Sequence, residues 1–298
     1  MCGLPLYEYD HLLGWANTYR HRANEITLLC DKHHKEKTNG LLPQATILEA
    51  NESPFNLRSV ATAPYSLWYS GSTYDFDVGT NRFFGQLVPN GIEVQPVRID
   101  GTPIVSARLE DGHYLLNFDL VNESGAPILQ IDDNELVMSM SAWDIELTGH
   151  RLVIREGHRK KLAEIEFMPR HGFKLLSGRF LRNGIELLVT EQWAAILNNR
   201  MLLIGNTARD CSAGLVLGTE AHPPGAAFVF PGIPRSGWDR GEAIRWAHKR
   251  AEEYKLTHID QIAGMAGTAC SSLSYLSSMA LMRSRRSLIP GGMTPSSS

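Results

Sequence analysis

Short β-prone runs, each ended by a turn of Gly, Asn or Asp, recur through the middle of this sequence and constrain its fold more than any other feature. They return at intervals of about ten residues, which is typical of strands joined by tight turns. We predict a β-rich domain over 65–235, built as an antiparallel sandwich or barrel. A β-solenoid is the alternative, because Asp133-Asn134 and Asn198-Asn199 suit the corners of stacked coils. The runs are 92–99, 114–121, 128–131, 143–147, 152–155, 165–168, 173–176, 185–189, 194–197, 201–204 and 215–217.

Weaker signals flank this β region. Proline and turn residues interrupt 43–64, which we interpret as a linker with room for one short helix. Residues 236–257 predict an amphipathic helix, because a capping box precedes an apolar stripe of helical period. The last segment, 258–298, predicts a small-residue helix or a poorly ordered tail. Its longest uncharged stretch contains five Ser, two Gly and one Thr, so we expect no membrane span.

The composition is that of an ordinary globular chain, and it argues against several classes of protein. Four cysteines among 298 residues form no regular framework, so a disulfide-stabilised domain is not expected. No signal peptide is recognised, and we expect a cytoplasmic protein. A net charge of −3 gives no overall attraction for nucleic acid. Basic residues concentrate over 155–182, where eight Lys and Arg accompany three Glu, which indicates either a solvated hairpin or a phosphate-facing loop.

The N-terminal segment contains the residue types that metal-assisted hydrolysis requires. Asp10 and His11 end a β-prone run, 26–29 is a second apolar run, and His34 lies in the helix-compatible run 31–38. A neutral imidazole can act as a base near pH 7, and a cation held by a carboxylate and an imidazole can neutralise a phosphate. Neighbouring strand residues point to opposite faces, so Asp10 and His11 share a site only if the strand twists locally.

Four residues stand here in the order found in the HNH endonucleases, which are also called ββα-metal nucleases: Asp10, His11, Asn24 and His34. The run Leu-Cys-Asp-Lys-His-His-Lys-Glu-Lys-Thr is similar to the part of that family's signature that joins a zinc knuckle to the helix. The resemblance implies that His11 is the general base and that Asn24 holds the loop that aims it. It also implies that Asp10 and His34 bind a divalent cation such as Mg²⁺, Mn²⁺, Ni²⁺ or Zn²⁺.

The same resemblance implies a structural zinc. Family members often hold one zinc between two knuckles, and Cys30 with His33 would form the second of them. Cys2 would belong to the first, so this set has three ligands where a tetrahedral zinc takes four. We expect the fourth ligand upstream of Met1, or else a weakly bound ion completed by water. The sequence leaves open whether His33 or His34 faces the catalytic cation.

Together these observations predict an α+β chain, with a ββα-metal module over 1–42 followed by the linker, the β-rich domain and C-terminal helices. The leading function is a metal-dependent endonuclease that hydrolyses DNA, as in restriction or phage defence. A homodimer would suit a double-strand cut, because a single-metal site cuts one strand. The alternative is a non-catalytic, zinc-supported module whose β domain recognises a ligand, nucleic acid or protein.

Overall fold

The computed structural model describes residues 1–15, 19–139 and 142–256. The fold is mainly β, with 46% of the described residues in strands and 16% in helices, and its sheets are not closed. The predicted α+β class was therefore wrong, and so was the barrel allowed for the β-rich domain. The helix or tail predicted over 258–298 lies outside the described residues.

One of the two large sheets consists of eight strands, which are β3 (Tyr65–Ser66), β6 (Val94–Ile99), β7 (Thr102–Glu110), β8 (His113–Val121), β9 (Pro127–Asp132), β10 (Glu135–Met138), β19 (Ala213–Leu217) and β20 (Ala226–Phe230). Consecutive strands from β6 to β10 pair antiparallel, as their short turns require. This pairing excludes the solenoid, whose coils stack in parallel. At the other edge, β19 pairs in parallel with both β6 and β20.

The second large sheet consists of ten strands, which are β4 (Thr73–Val78), β5 (Asn81–Gln86), β11 (Asp144–Thr148), β12 (Arg151–Gly157), β13 (Lys160–Met168), β14 (Gly172–Arg182), β15 (Ile185–Val189), β16 (Ala194–Ile196), β17 (Met201–Leu203) and β18 (Thr207–Arg209). Strands β11 to β17 form an antiparallel meander. The β4–β5 hairpin joins this meander through a parallel pairing of β4 with β14.

Residues from both sheets form one shared hydrophobic core. Strand β4 shows why: Tyr74 and Phe76 are buried while the acidic residues between them are not, so the period of two directs one face inward. Phe118 of β8 makes edge-to-face contacts with Phe173 and Phe180 of β14, at centroid distances of 5.9 and 6.2 Å. Such aromatic pairs add to the burial of apolar area and hold the two sheets together.

A ββα-metal module is not evident at the N-terminus, which corrects that part of the prediction. The segment has two four-residue strands, β1 (Glu8–His11) and β2 (Ile26–Leu29), and the eight-residue helix α1 (Asp31–Thr38). Two further helices, α2 (Gln44–Glu52) and α3 (Phe55–Arg58), follow where the linker was predicted. Elements this short bury too little apolar surface to stand alone.

Contacts with the large sheets explain why the N-terminal segment is part of one fold. The hydroxyl groups of Tyr7 and Tyr9 donate to the Asp144 carboxylate of β11, at 3.3 and 3.0 Å. The amide of Ala63 donates to the carbonyl of Gly3 at 2.8 Å. Tyr7 also packs against the shared core. The short strands are thus supported by tertiary contacts that local sequence patterns do not predict.

The helix α4 (Arg240–Leu256) closes the described part of the chain, within the span predicted as an amphipathic helix. Asp239 caps the helix, because its side chain accepts from the amide of Glu242 at 2.6 Å, but the Glu242 carboxylate pairs with Arg200 at 2.9 Å instead of completing the predicted capping box. Small residues of one face, Ala243, Ala247 and Ala251, are buried against the second large sheet. None of the helices in the described residues is long and apolar enough to cross a bilayer.

Candidate metal centre

Two cysteines and a histidine converge at the start of α1. Cys30 immediately precedes the helix, His33 lies in its first turn, and Cys2 reaches both from the N-terminal stretch. The Cys30 Sγ lies 3.4 Å from the Cys2 Sγ and 3.2 Å from the His33 Nδ1. All three ligand atoms lie within 4.8 Å of one another, so this group could hold a metal ion.

The spacing of this group fits a tetrahedral ion. Two thiolates bound at about 2.3 Å to one zinc lie about 3.8 Å apart, so the observed sulfur–sulfur distance needs only a small expansion. Burial raises the pKa of the Cys30 thiol, and a backbone hydrogen bond from His33 opposes that effect. Binding of a cation would therefore displace a proton from this sulfur. A cavity of about 280 Å³ adjoins the group and is lined by Cys2, Cys30, His33, Phe55 and Trp143, among others.

A second polar group forms where β1 meets α1. Glu8 and Asp10 are two residues apart on β1, so their side chains share a face. The His34 ring lies between them: its Nδ1 is 2.8 Å from Glu8 Oε2, and its Nε2 is 3.8 Å from Asp10 Oδ1. The ammonium group of Lys37 contacts the Asp10 carboxylate and donates to the carbonyl of His11 at 2.5 Å. The fold thus brings Asp10 and His34 together.

The ring of His11 makes its contacts elsewhere, in the loop between β1 and β2. Its Nε2 lies 3.2 Å from the carbonyl oxygen of Arg20. Its ring centroid lies 5.1 Å from that of Trp15 and 5.0 Å from that of His21. Strand alternation accounts for this separation, because residues adjacent on β1 face opposite sides. The two predicted partners Asp10 and His11 therefore lie next to each other with different surroundings.

Asn24 is exposed on a single 3₁₀ turn, Ala23–Glu25, just before β2. The loop is closed by other contacts: the Leu12 amide donates to the Glu25 carbonyl at 2.9 Å, and Arg20 forms an ion pair with the Glu25 carboxylate at 2.6 Å. This ion pair lowers the pKa of Glu25. The role inferred for Asn24 stays a prediction, and the geometry assigns loop closure to Glu25.

Two residues of the polar group where β1 meets α1, Glu8 and Lys37, were not predicted from the sequence. Glu8 contacts His34. The period of two in a strand could have identified it, because that period places Glu8 on the same face of β1 as Asp10. Lys37 contacts Asp10. Its spacing of three residues from His34 could have identified it, because residues three apart lie on one side of a helix. Both patterns are informative only once β1 is known to be a strand and α1 a helix.

Most of the basic cluster at 155–182 is neutralised by acidic neighbours. Five of its eight Lys and Arg residues form ion pairs with Asp or Glu on the strands around them. This pattern favours the solvated hairpin over the phosphate-facing loop. The five are Arg155, Lys161, Lys174, Arg179 and Arg182.

Comparisons with protein-family models, with curated proteins and with solved structures found no match for this chain. The contacts of the N-terminal segment place two neighbouring groups on α1: Cys2, Cys30 and His33, which could hold a metal ion, and the polar group of Glu8, Asp10 and His34.

Proposed function

We propose that this chain is a metal-dependent phosphodiesterase that cleaves DNA, with Asp10 and His34 as ligands of a divalent cation. One observation supports the proposal most: Glu8 engages the Nδ1 of His34 while the Nε2 faces the Asp10 carboxylate. A histidine that donates one ring N–H to a carboxylate offers its other nitrogen to a metal. Two atoms that each bind a cation at about 2.1 Å lie about 3 to 4 Å apart, which fits the separation of 3.8 Å.

His11 is the proposed base. The Arg20 carbonyl is an acceptor only, so the His11 Nε2 beside it carries the proton and the Nδ1 remains able to accept one. That nitrogen would take a proton from the attacking water. A cation at Asp10 and His34 would neutralise charge on the phosphate and on the leaving oxygen. His11 and Asp10 are adjacent on β1 but face opposite sides of it, so the proposal requires a phosphate that reaches across the end of the strand.

We also propose that Cys2, Cys30 and His33 hold zinc in a structural role. Two sulfur ligands and an imidazole favour zinc over Mg²⁺, which prefers oxygen. An ion there would fasten the N-terminal stretch to the start of α1, and the next residue, His34, is the proposed catalytic ligand. Such a site contributes folding free energy, because the unfolded chain lacks it.

The test of the enzymatic proposal is a single substitution at the base. His11→Ala should lower kcat for cleavage of DNA in Mn²⁺ or Mg²⁺ by about 10²- to 10⁴-fold, the usual effect of losing a general base. The matched control is His158→Ala, which removes an exposed histidine from the turn between β12 and β13. Cleavage that survives His11→Ala, with the control also active, would contradict the assignment of the base.

A second candidate is a non-catalytic module supported by zinc, and one contact favours it. The ammonium group of Lys37 already neutralises Asp10, where a catalytic cation would bind. This candidate predicts about one zinc per chain and no cleavage of plasmid DNA in Mg²⁺, Mn²⁺ or Ni²⁺. Divalent-ion-dependent cleavage that requires His34 would exclude it.

A further inference from the structure

Three aromatic rings in the loop between β1 and β2 form what we call the aromatic cluster: Trp15, Tyr19 and His21. The Trp15 and His21 rings are stacked, with centroids 4.9 Å apart and planes 25° apart. The Trp15 and Tyr19 centroids are 6.0 Å apart in an edge arrangement. Large apolar rings are normally buried, yet Trp15 is 47% exposed and Tyr19 is 73% exposed.

The charge around the aromatic cluster suits a polyanion. Residues 12–24 contain two arginines and one histidine but no Asp or Glu. Arg20 is neutralised by Glu25, which leaves the exposed Arg22 as the cationic side chain of this loop. This local balance contrasts with the net charge of −3 for the whole chain. An exposed guanidinium in the same loop as exposed rings is a combination by which proteins contact a phosphate and stack a base.

We infer that the aromatic cluster stacks the unpaired bases of single-stranded DNA next to the phosphate that His11 would act on. The inference rests on the proposed function and names its substrate class. The His11 ring lies 5.1 Å from Trp15 and 5.0 Å from His21, so a stacked base and the candidate base catalyst would be neighbours. A protein ring can cover a nucleobase only if that face is not already stacked in a duplex.

Binding measurements test the inference without reliance on cleavage. The protein is titrated into a fluorescein-labelled 20-nucleotide single strand, and into the matching duplex, in buffer with no added divalent ion. Trp15→Ala should weaken single-strand binding about tenfold, because stacking on an aromatic ring contributes about 1–3 kcal/mol per base. Trp15→Phe keeps a ring and should restore most of the affinity. Duplex binding should change less than about twofold.

The matched control is Trp68→Ala, which removes a tryptophan that is 86% exposed outside the loop and should leave the affinity unchanged. Circular dichroism of each variant verifies that the fold is retained. Single-strand affinity unchanged in Trp15→Ala would overturn the inference, and so would an equal loss for single strand and duplex.

The two proposals fail in different ways. If His11→Ala abolishes cleavage while Trp15→Ala leaves single-strand affinity unchanged, the stacking inference is overturned and the proposed phosphodiesterase activity is upheld. Single-strand binding that depends on Trp15, with no cleavage in any divalent ion, would uphold the stacking surface and overturn the hydrolytic role. The paired assays therefore assign the failure to one site or the other.

Discussion

The position of Lys37 bears directly on the cation site proposed at Asp10 and His34. Its ammonium group contacts the Asp10 carboxylate, so it competes with any cation that binds there. We expect Lys37→Met to strengthen Mn²⁺ binding about tenfold, because a like charge beside the ion is removed. Calorimetric titration measures this, with Lys35→Met on the exposed side of α1 as the control. Weaker Mn²⁺ binding in Lys37→Met would mean that the lysine holds Asp10 in place.

A pair of cysteine substitutions tests the sulfur-rich group. Cys30→Ser should reduce the bound zinc from about one ion per chain to well below half, since it removes a ligand of a three-residue set. It should also lower the unfolding temperature, because ion binding is coupled to folding. The control is Cys211→Ser, which changes a cysteine buried in the shared core. This variant should bind as much zinc as the wild type. Equal zinc content in both variants, measured by mass spectrometry of the metal, would contradict the assignment.

Some residues of the site could be predicted because their relationships are local. Cys30, His33 and His34 lie within one helical turn, so their spacing alone places them near each other. The side of β1 that His11 faces was not predictable in the same way. It depends on the loop between β1 and β2, where the imidazole contacts the carbonyl of Arg20 and the rings of Trp15 and His21. Contacts of this kind come from the folded loop and have no spacing rule.

Among the elements, α4 is joined to the second large sheet by a buried charge as well as by its alanine face. Glu186 of β15 is 0% exposed and accepts from Arg179 at 2.8 Å and from Arg240, the first residue of α4, at 2.7 Å. Losing one partner of a fully buried ion pair typically costs about 3–5 kcal/mol, but Arg179 and Arg240 are partly exposed and keep Glu123 as a second partner. We therefore expect Glu186→Ala to lower the free energy of unfolding by about 2–3 kcal/mol, the usual effect of losing hydrogen bonds to a charged group, as measured by urea denaturation.

The control for Glu186 contacts the same two arginines from the surface. Glu123 pairs with Arg179 and Arg240 at 2.9 and 2.7 Å but is 61% exposed. Surface ion pairs contribute about 0–1 kcal/mol, so Glu123→Ala should have a small effect. Similar losses in the two variants would show that burial of Glu186 is not what anchors α4.

Strands with clear alternation and marked turns were predictable, and others were not. The predicted runs at 114–121 and 185–189 correspond to β8 and β15 nearly residue for residue. The β4–β5 hairpin was missed, although Tyr74 and Phe76 alternate with acidic residues. Aspartate is unfavourable in strands, and here the parallel pairing with β14 supplies the support. Tertiary pairing outweighed the local propensity.

At the scale of the whole molecule, the pairing of distant strands decided the fold class. Strand β4 lies beside β14, and β19 lies beside β6, each across about a hundred residues of chain. Sequence periodicity predicts which face of a strand is apolar but does not identify its partner. The short N-terminal elements looked like a separate α+β unit for the same reason, since their contacts with Asp144 and the shared core are long-range.

One acidic residue joins several distant loops of the molecule and makes its stability depend on pH. Asp100, in the turn between β6 and β7, accepts from Arg235 at 2.7 Å and from Asn183 at 2.6 Å. The Arg235 guanidinium, with Asn183, holds the pKa of Asp100 below its ordinary value. The unfolded chain then binds a proton more readily than the folded one. Asp100 therefore stabilises the fold fully above its unfolded pKa of about 4, and this contribution is lost as the pH falls through the folded pKa.

Replacing Asp100 should flatten this dependence. Asp100→Asn is expected to be less stable than the wild type at pH 7, and to lose less further stability between about pH 5 and pH 2, because the titrating group is absent. Arg235→Met should act in the same direction by removing the guanidinium that lowers the pKa. Urea unfolding at a series of pH values measures both slopes. A variant that lost stability equally at every pH, with the wild-type slope intact, would show that Asp100 acts through hydrogen-bond geometry rather than through its charge.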